Sequence, residues 1–148
     1  MALTPAQRQA REALIREHFD SEVRKDFEAT LATMDHPRYE LVGTGEVFQG
    51  PEEVVAYHRR SRTAFPDQRH DNVRLHFTDD VVVAEFDLLG THEGELFGFP
   101  ATGKTFRTPM VALFFFDGPD GRKITCERIY FDSASIASQL GLLPGVSS

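Results

Sequence analysis

Four segments from residue 72 onward read as strands, and the first two alternate between apolar and polar residues. This period of two constrains the fold more than any other feature of the sequence. Residues 72–77 place Val73, Leu75 and Phe77 on one face. After the turn signal Thr78-Asp79-Asp80, residues 81–90 place Val82, Ala84, Phe86 and Leu88 on one face, with Glu85 and Asp87 on the other. Residues 105–116 are apolar on both faces in their second half, as expected of a strand that is central or covered on both sides. Asp117-Gly118-Pro119-Asp120-Gly121 reads as a turn, and residues 124–131 read as the last strand. Long strands joined by short turns predict an antiparallel sheet.

Helices dominate the first part. Thr4-Pro5-Ala6-Gln7 combines a capping Thr, a Pro at the first helical position and a Gln three residues after the cap. This helix is expected to run to about His18. Asp20 or Ser21 can cap a second helix to about Met34, with Val23, Phe27 and Leu31 as its apolar stripe and His36-Pro37 as its end. Residues 39–48 are punctuated by glycine and read as short strands or a hairpin. Gly50-Pro51-Glu52-Glu53 opens another helix that carries Val54, Val55, Tyr57 and His58 and closes at Phe65-Pro66-Asp67. A short helix over 133–140 has Gly141 and Pro144 as stop signals. Helices first and a meander afterwards make an α+β pattern in one domain, 1–148. A curved sheet wrapped against helices would enclose a cone-shaped space.

Composition narrows the function. With 148 residues the domain buries about 68–70% of its unfolded surface, enough for a core and an internal cavity. The net charge of −7 makes nucleic acid a poor partner, because affinity for it comes mostly from phosphate neutralisation. No apolar run approaches the roughly 18 residues of a membrane span, and the start Met1-Ala2-Leu3-Thr4-Pro5 has no signal-peptide core. The single cysteine, Cys126, excludes an intrachain disulfide. A reducing, cytoplasmic location is expected. There are 13 Phe and no Trp. Phenylalanine brings bulk without a hydrogen-bonding tip, which suits a dry core or a pocket for an apolar ligand.

Gly98-Phe99-Pro100-Ala101-Thr102-Gly103-Lys104-Thr105 fits the phosphate-loop pattern letter for letter. That mechanism needs a helix after the loop, but the next residues, Phe106-Arg107-Thr108-Pro109-Met110-Val111, carry a strand signal. The segment therefore reads as a hairpin connection. His18, Glu22 and Asp26 are spaced i, i+4, i+8 and would share a face of a continuous helix, where they form either a metal-ligand set or, more commonly, a solvated or cavity-edge stripe. His92 would continue the inward face of Phe86 and Leu88, either as a proton-transfer group or as a buried His closing a turn. His76 falls on the polar face of its strand. In the last strand Cys126, Arg128, Tyr130 and Asp132 share one parity, and Glu127, Ile129 and Phe131 the other. If the first set faces inward, a cation, a phenol and a carboxylate enter the cavity, and apolar surroundings raise the carboxyl of Asp132 into a useful acid/base range. Otherwise Asp132 only caps the helix at Ser133. Cys126 reads as a small hydrophobe.

Several of these segments together resemble the SnoaL-like polyketide cyclases of the nuclear transport factor 2-like superfamily. They are Gly50-Pro51-Glu52-Glu53-Val54, Gly90-Thr91-His92-Glu93-Gly94, the segment from Gly98 to Lys104, Glu127-Arg128-Ile129-Tyr130-Phe131-Asp132 and Gln139-Leu140-Gly141. The likeness runs over about Leu14 to Leu143. It implies a cystatin-like cone, N-terminal helices packed on a strongly curved antiparallel sheet around a cavity, and a homodimer through the outer sheet face. It also implies a cofactor-free, metal-free intramolecular aldol cyclase or isomerase for an apolar, carbonyl-bearing substrate. Asp132 would be the acid/base and His92 its assistant, while Tyr130 and Arg128 hold the substrate beside Phe86 and Phe114. The sequence departs from the family where many members carry E-x-W or a further Asp in the last strand, positions that here read Cys126, Arg128 and Ile129. The alternative function is a non-catalytic module of the same fold that binds a small ligand or a partner.

Overall fold

The computed structural model describes residues 2–143. Helix α1 (Pro5–Val23) starts as read: Thr4 accepts from Gln7 N–H and Gln7 reaches back to the Thr4 amide, a complete capping box. It does not stop at His18. It continues to Val23, and the break falls at Lys25, whose φ is 63°. Asp26, not Asp20 or Ser21, caps the short α2 (Phe27–Ala32) by accepting from Ala29 N–H. This shift matters, because it leaves His18 and Glu22 on one unbroken helical face. Arg11 anchors α1 to two turns of the sheet, donating to the carbonyls of Asp79 (2.8 Å), Gly118 (2.6 Å) and Gly121 (3.1 Å).

Strands β1 (Arg38–Leu41) and β2 (Glu46–Gln49) form the expected hairpin, and α3 (Gly50–Ala64) follows with Glu52 and Glu53 in its first turn. The meander comprises β3 (Arg69–Phe77), β4 (Val81–Thr91), β5 (Thr105–Phe115) and β6 (Cys126–Phe131). The last helix, α4 (Ser133–Gln139), is capped by Asp132. Pro144, read as a stop signal, lies outside the described residues. The six strands are ordered β2-β1-β6-β5-β4-β3, antiparallel except where β6 pairs with β1. Strand β6 begins two residues later than expected because Ile124 bridges Met34 instead.

The inner face of the sheet carries Val82, Ala84, Phe86 and Leu88 of β4 opposite Phe114, Ala112, Met110 and Thr108 of β5. Ile15 and Phe19 of α1 and Val54 of α3 pack onto it. The phosphate-loop look-alike is the connection between β4 and β5. His92 N–H donates to Lys104 O and Gly103 N–H to His92 O, closing the hairpin.

One irregularity positions the cavity. Between Asp71 and Arg74 the pairing of β3 with β4 slips, with Asn72 at φ 56°. His70 pairs with Leu88 and Leu75 with Ala84. The extra residue on β3 puts His70 and Leu75 on the same inner face although five positions separate them. Without the bulge His70 would point outward.

Candidate functional site

The sheet and helices enclose a cavity of about 580 Å³, within the range of small-molecule sites. Seven of the 13 Phe line it, Phe19, Phe65, Phe86, Phe97, Phe99, Phe106 and Phe131, so much of the phenylalanine excess is cavity wall. Phe97 and Phe99 are the exposed members, 63% and 47%. The polar part of the wall includes Glu22, Tyr39, Gln68, His70 and Glu127.

These groups belong to a buried cluster centred on His18, which is fully buried. Its Nδ1 lies 2.8 Å from Thr33 Oγ1, and that hydroxyl already gives its own proton to Thr30 O at 2.6 Å. Thr33 must therefore accept, and His18 carries a proton on Nδ1. Its Nε2 faces Glu22 Oε1 at 2.8 Å, Tyr39 Oη at 3.0 Å and Glu127 Oε2 at 3.3 Å. Burial alone would lower the imidazole, but Glu127 and Glu22 outweigh it and raise His18 to about 10. His18 is thus an imidazolium. Glu22 also pairs with the buried Arg62 (Nη2 to Oε2, 3.4 Å). Burial pushes Glu22 up, yet the hydrogen bond and charge of His18 hold it below the usual carboxylate range.

Glu127 differs. Burial raises its carboxyl above the ordinary value, Glu22 adds to the rise, and His18 and Tyr39 only partly offset it. His58 Nε2 sits 3.1 Å from Tyr39 Oη, and His70 Nε2 sits 3.9 Å from Glu22 Oε2. Burial lowers both histidines to about 4 against the pull of Glu22, so both are neutral near pH 7. His18, Glu22 and Glu127 bring one nitrogen and two carboxylates within 4.8 Å of one another, the donor set a metal ion would use. A proton on Nε2 satisfies the same convergence. Asp26, the third member of the helical stripe, is exposed at the α2 cap and takes no part.

The residues singled out from sequence are dispersed. Phe86 lines the cavity. Phe114 is fully buried beneath the wall, its ring 5.3 Å from His18 and 5.6 Å from Phe19. Strand β6 has the opposite parity to the one assumed for Arg128, Tyr130 and Asp132. Its register sets Glu127 opposite Phe114, Ile129 opposite Ala112 and Phe131 opposite Met110, all inner-face residues of β5. Arg128 consequently lies on the outer face, held by Glu40 (Nε to Oε1, 2.7 Å) and stacked 4.7 Å over Phe115. Tyr130 is outward and exposed. Asp132 accepts from Ser135 N–H (3.0 Å), caps α4 and is absent from the cavity wall. His92 is fully buried, but its Nδ1 accepts from Thr102 N–H at 3.3 Å, so it closes the hairpin instead of lining the cavity. His76 is exposed and paired with Glu85. Cys126 is half-buried, and burial pushes its thiol up to about 11. A sequence signal for Glu127 existed: Ile129 and Phe131 are the more apolar parity of β6, and a carboxylate sharing their face is a buried charge.

The sequence profile of the SnoaL-like polyketide cyclases matches residues 14–140. Among solved structures, a candidate polyketide cyclase from Xanthomonas campestris pv. campestris shares 21% identity over 90% of this chain and 98% of its own, with a TM-score of 0.80. A candidate SnoaL-like polyketide cyclase from Jannaschia sp. shares 22% identity over 95% and 97%, with a TM-score of 0.81. A protein of ketosteroid isomerase-like fold from Catenulispora acidiphila, solved with trimethylamine, shares 17% over 91% and 97%, with a TM-score of 0.75. At these identities the likeness is one of fold. No curated protein sequence matches the chain.

Proposed function

We propose, from the premise that the chain belongs to the SnoaL-like polyketide cyclase family, that Glu127 is the acid/base of a cyclase or isomerase acting on an apolar, carbonyl-bearing molecule held in the cavity. The observation that carries this reading is the placement of Glu127. It is a carboxyl on the cavity wall, 3% exposed, and its pKa is raised by burial. A carboxyl raised above its ordinary value is a stronger base when ionised and can return the proton it takes. As a carboxylate, Glu127 takes a proton from the carbon beside a carbonyl. The C–H electron pair moves into the carbonyl, giving an enolate. The enolate carbon then bonds to a second carbonyl carbon of the same molecule, and the resulting alkoxide recovers the proton from Glu127. No oxidant or further reactant is consumed. His18 stays protonated throughout and steadies the carboxylate form of Glu127.

Deuterium exchange at the α-carbon of 1-tetralone in D₂O tests the first half of this sequence. The protein should accelerate exchange, and Glu127→Gln should lose about 10²-fold or more of that acceleration. Exchange that is absent in the wild type, or unchanged in Glu127→Gln, contradicts the reading and favours a binding module.

The same reading includes a homodimer through the outer sheet face. Val111, Leu113 and Phe115 are half-buried there, on the side opposite the core. Native mass spectrometry should show twice the chain mass, and a monomer at micromolar concentration would contradict it.

A further inference from the structure

We propose that the amide nitrogen of Gln68 is the donor that holds the substrate's carbonyl oxygen, and that it is oriented for this by a relay from Arg62. The relay is built from three side chains. The buried guanidinium of Arg62 donates from Nη1 to Ser61 Oγ at 2.8 Å. Ser61 donates its own proton to Gln68 Oε1, also at 2.8 Å. This order fixes which way the amide faces. If the nitrogen faced Ser61, the serine proton would have no acceptor among the described residues, because Arg62 offers only donors. The Gln68 oxygen is therefore taken up inside the protein and the NH₂ is turned away from the relay.

That nitrogen donates to no described residue. Gln68 lines the cavity at 8% exposure, and its nitrogen is not among the buried side-chain atoms that protein seals off without a partner. A cation-to-hydroxyl-to-amide chain polarises each successive bond, so the last donor is strengthened. An unmatched donor on an otherwise largely apolar wall selects a ligand with an acceptor oxygen at that point. Where the ligand's carbonyl becomes an enolate, the hydrogen bond strengthens with the developing charge. The ligand class is therefore an apolar ring system bearing a ketone or ester carbonyl. Gln68 is its binding residue, and Ser61 and Arg62 are the positioning residues behind it.

This inference takes the cavity and the carbonyl substrate from the Glu127 reading but is tested without proton transfer. The probes are 9-fluorenone, which has no α-hydrogen, and fluorene, the same skeleton without the oxygen. Calorimetric titration of the wild type should show 9-fluorenone bound about 5–10-fold tighter than fluorene, the worth of one net hydrogen bond. The infrared C=O stretch of bound 9-fluorenone should move to lower frequency. In Gln68→Met the preference and the stretch shift should vanish while fluorene binds as before, which also reports an intact cavity. Ser61→Ala should weaken the preference without abolishing it, and it serves if Gln68→Met does not fold. Equal binding of the two probes by the wild type, or a preference that survives Gln68→Met, overturns the inference. Neither result bears on α-proton exchange by Glu127, so each reading can fail alone.

Discussion

Two carboxylates, Glu22 and Glu127, meet a single imidazolium, His18, and that count decides which acid is free to titrate. Glu22 has two cationic partners, His18 at 2.8 Å and Arg62 at 3.4 Å. Among the described residues Glu127 has only His18 as a cationic partner, at the longer distance of 3.3 Å. The less compensated carboxylate is the one burial can protonate. Asp132, by contrast, has a structural task. Asp132→Ala should cost about 1 kcal/mol in urea unfolding, the worth of a lost helix cap, and should leave α-proton exchange unchanged. Loss of exchange in that variant would return catalysis to Asp132. Half of this arrangement was readable in advance. The i, i+4 spacing of His18 and Glu22 placed them together, but their third partner comes from β6 and not from Asp26. A contact spanning 109 residues leaves no local spacing to read. On β6 the cation and phenol of Arg128 and Tyr130 suggested chemistry and drew attention to the wrong face. The inner face is the one that carries Ile129 and Phe131, the more apolar parity.

At the scale of elements, each helix and strand was legible in outline from capping residues, turn signals and alternation, whereas the boundaries that build the site were not. Helix α1 runs five residues past its expected end because nothing at Asp20 interrupts its hydrogen bonds, and Arg24 N–H still closes onto Asp20 O. The bulge at Asn72 had no signature beyond the polar pair Asp71-Asn72, yet it turns His70 inward. The hairpin after His92 shows how sequence and tertiary constraint combine. A Cβ on Gly94 would sit 2.0 Å from the Thr63 carbonyl oxygen at the end of α3, and backbone cannot yield there cheaply. Gly94→Ala should therefore destabilise by about 2 kcal/mol or more, in the range of other overpacked sites, read as a lowered urea midpoint at unchanged slope. An unchanged midpoint would show that the hairpin and α3 part easily.

Over the whole molecule, the buried cluster sets a window of pH. His18 is raised to about 10 from 6.5, so its contribution is fully present below pH 6.5 and is lost as pH rises through about 10. His58 and His70 are lowered to about 4 from 6.5. The unfolded chain takes up protons that the native state refuses, so stability is lost as pH falls from about 6.5 to about 4. Glu22, held low, adds to the loss in acid. Tm should thus fall on both sides of neutrality. His70→Phe keeps a ring against Phe19 and Phe86 and should make the acid limb shallower, whereas an identical limb would show that His70 has no part in it. The α+β architecture was legible because alternation and helix caps pointed to it together, and the cone followed from the family resemblance. The polar end of its cavity was not, because it is assembled from α1, α3, β1, β3 and β6 by packing alone.

The central claim is that burial holds the carboxyl of Glu127 above its ordinary range. ¹³C NMR titration of glutamate-labelled protein measures this directly. One Cδ resonance should titrate above the ordinary glutamate value of about 4.3 and disappear in Glu127→Gln. If every glutamate Cδ titrates at or below that value, Glu127 is an ordinary ion-paired carboxylate and the proposed acid/base does not exist.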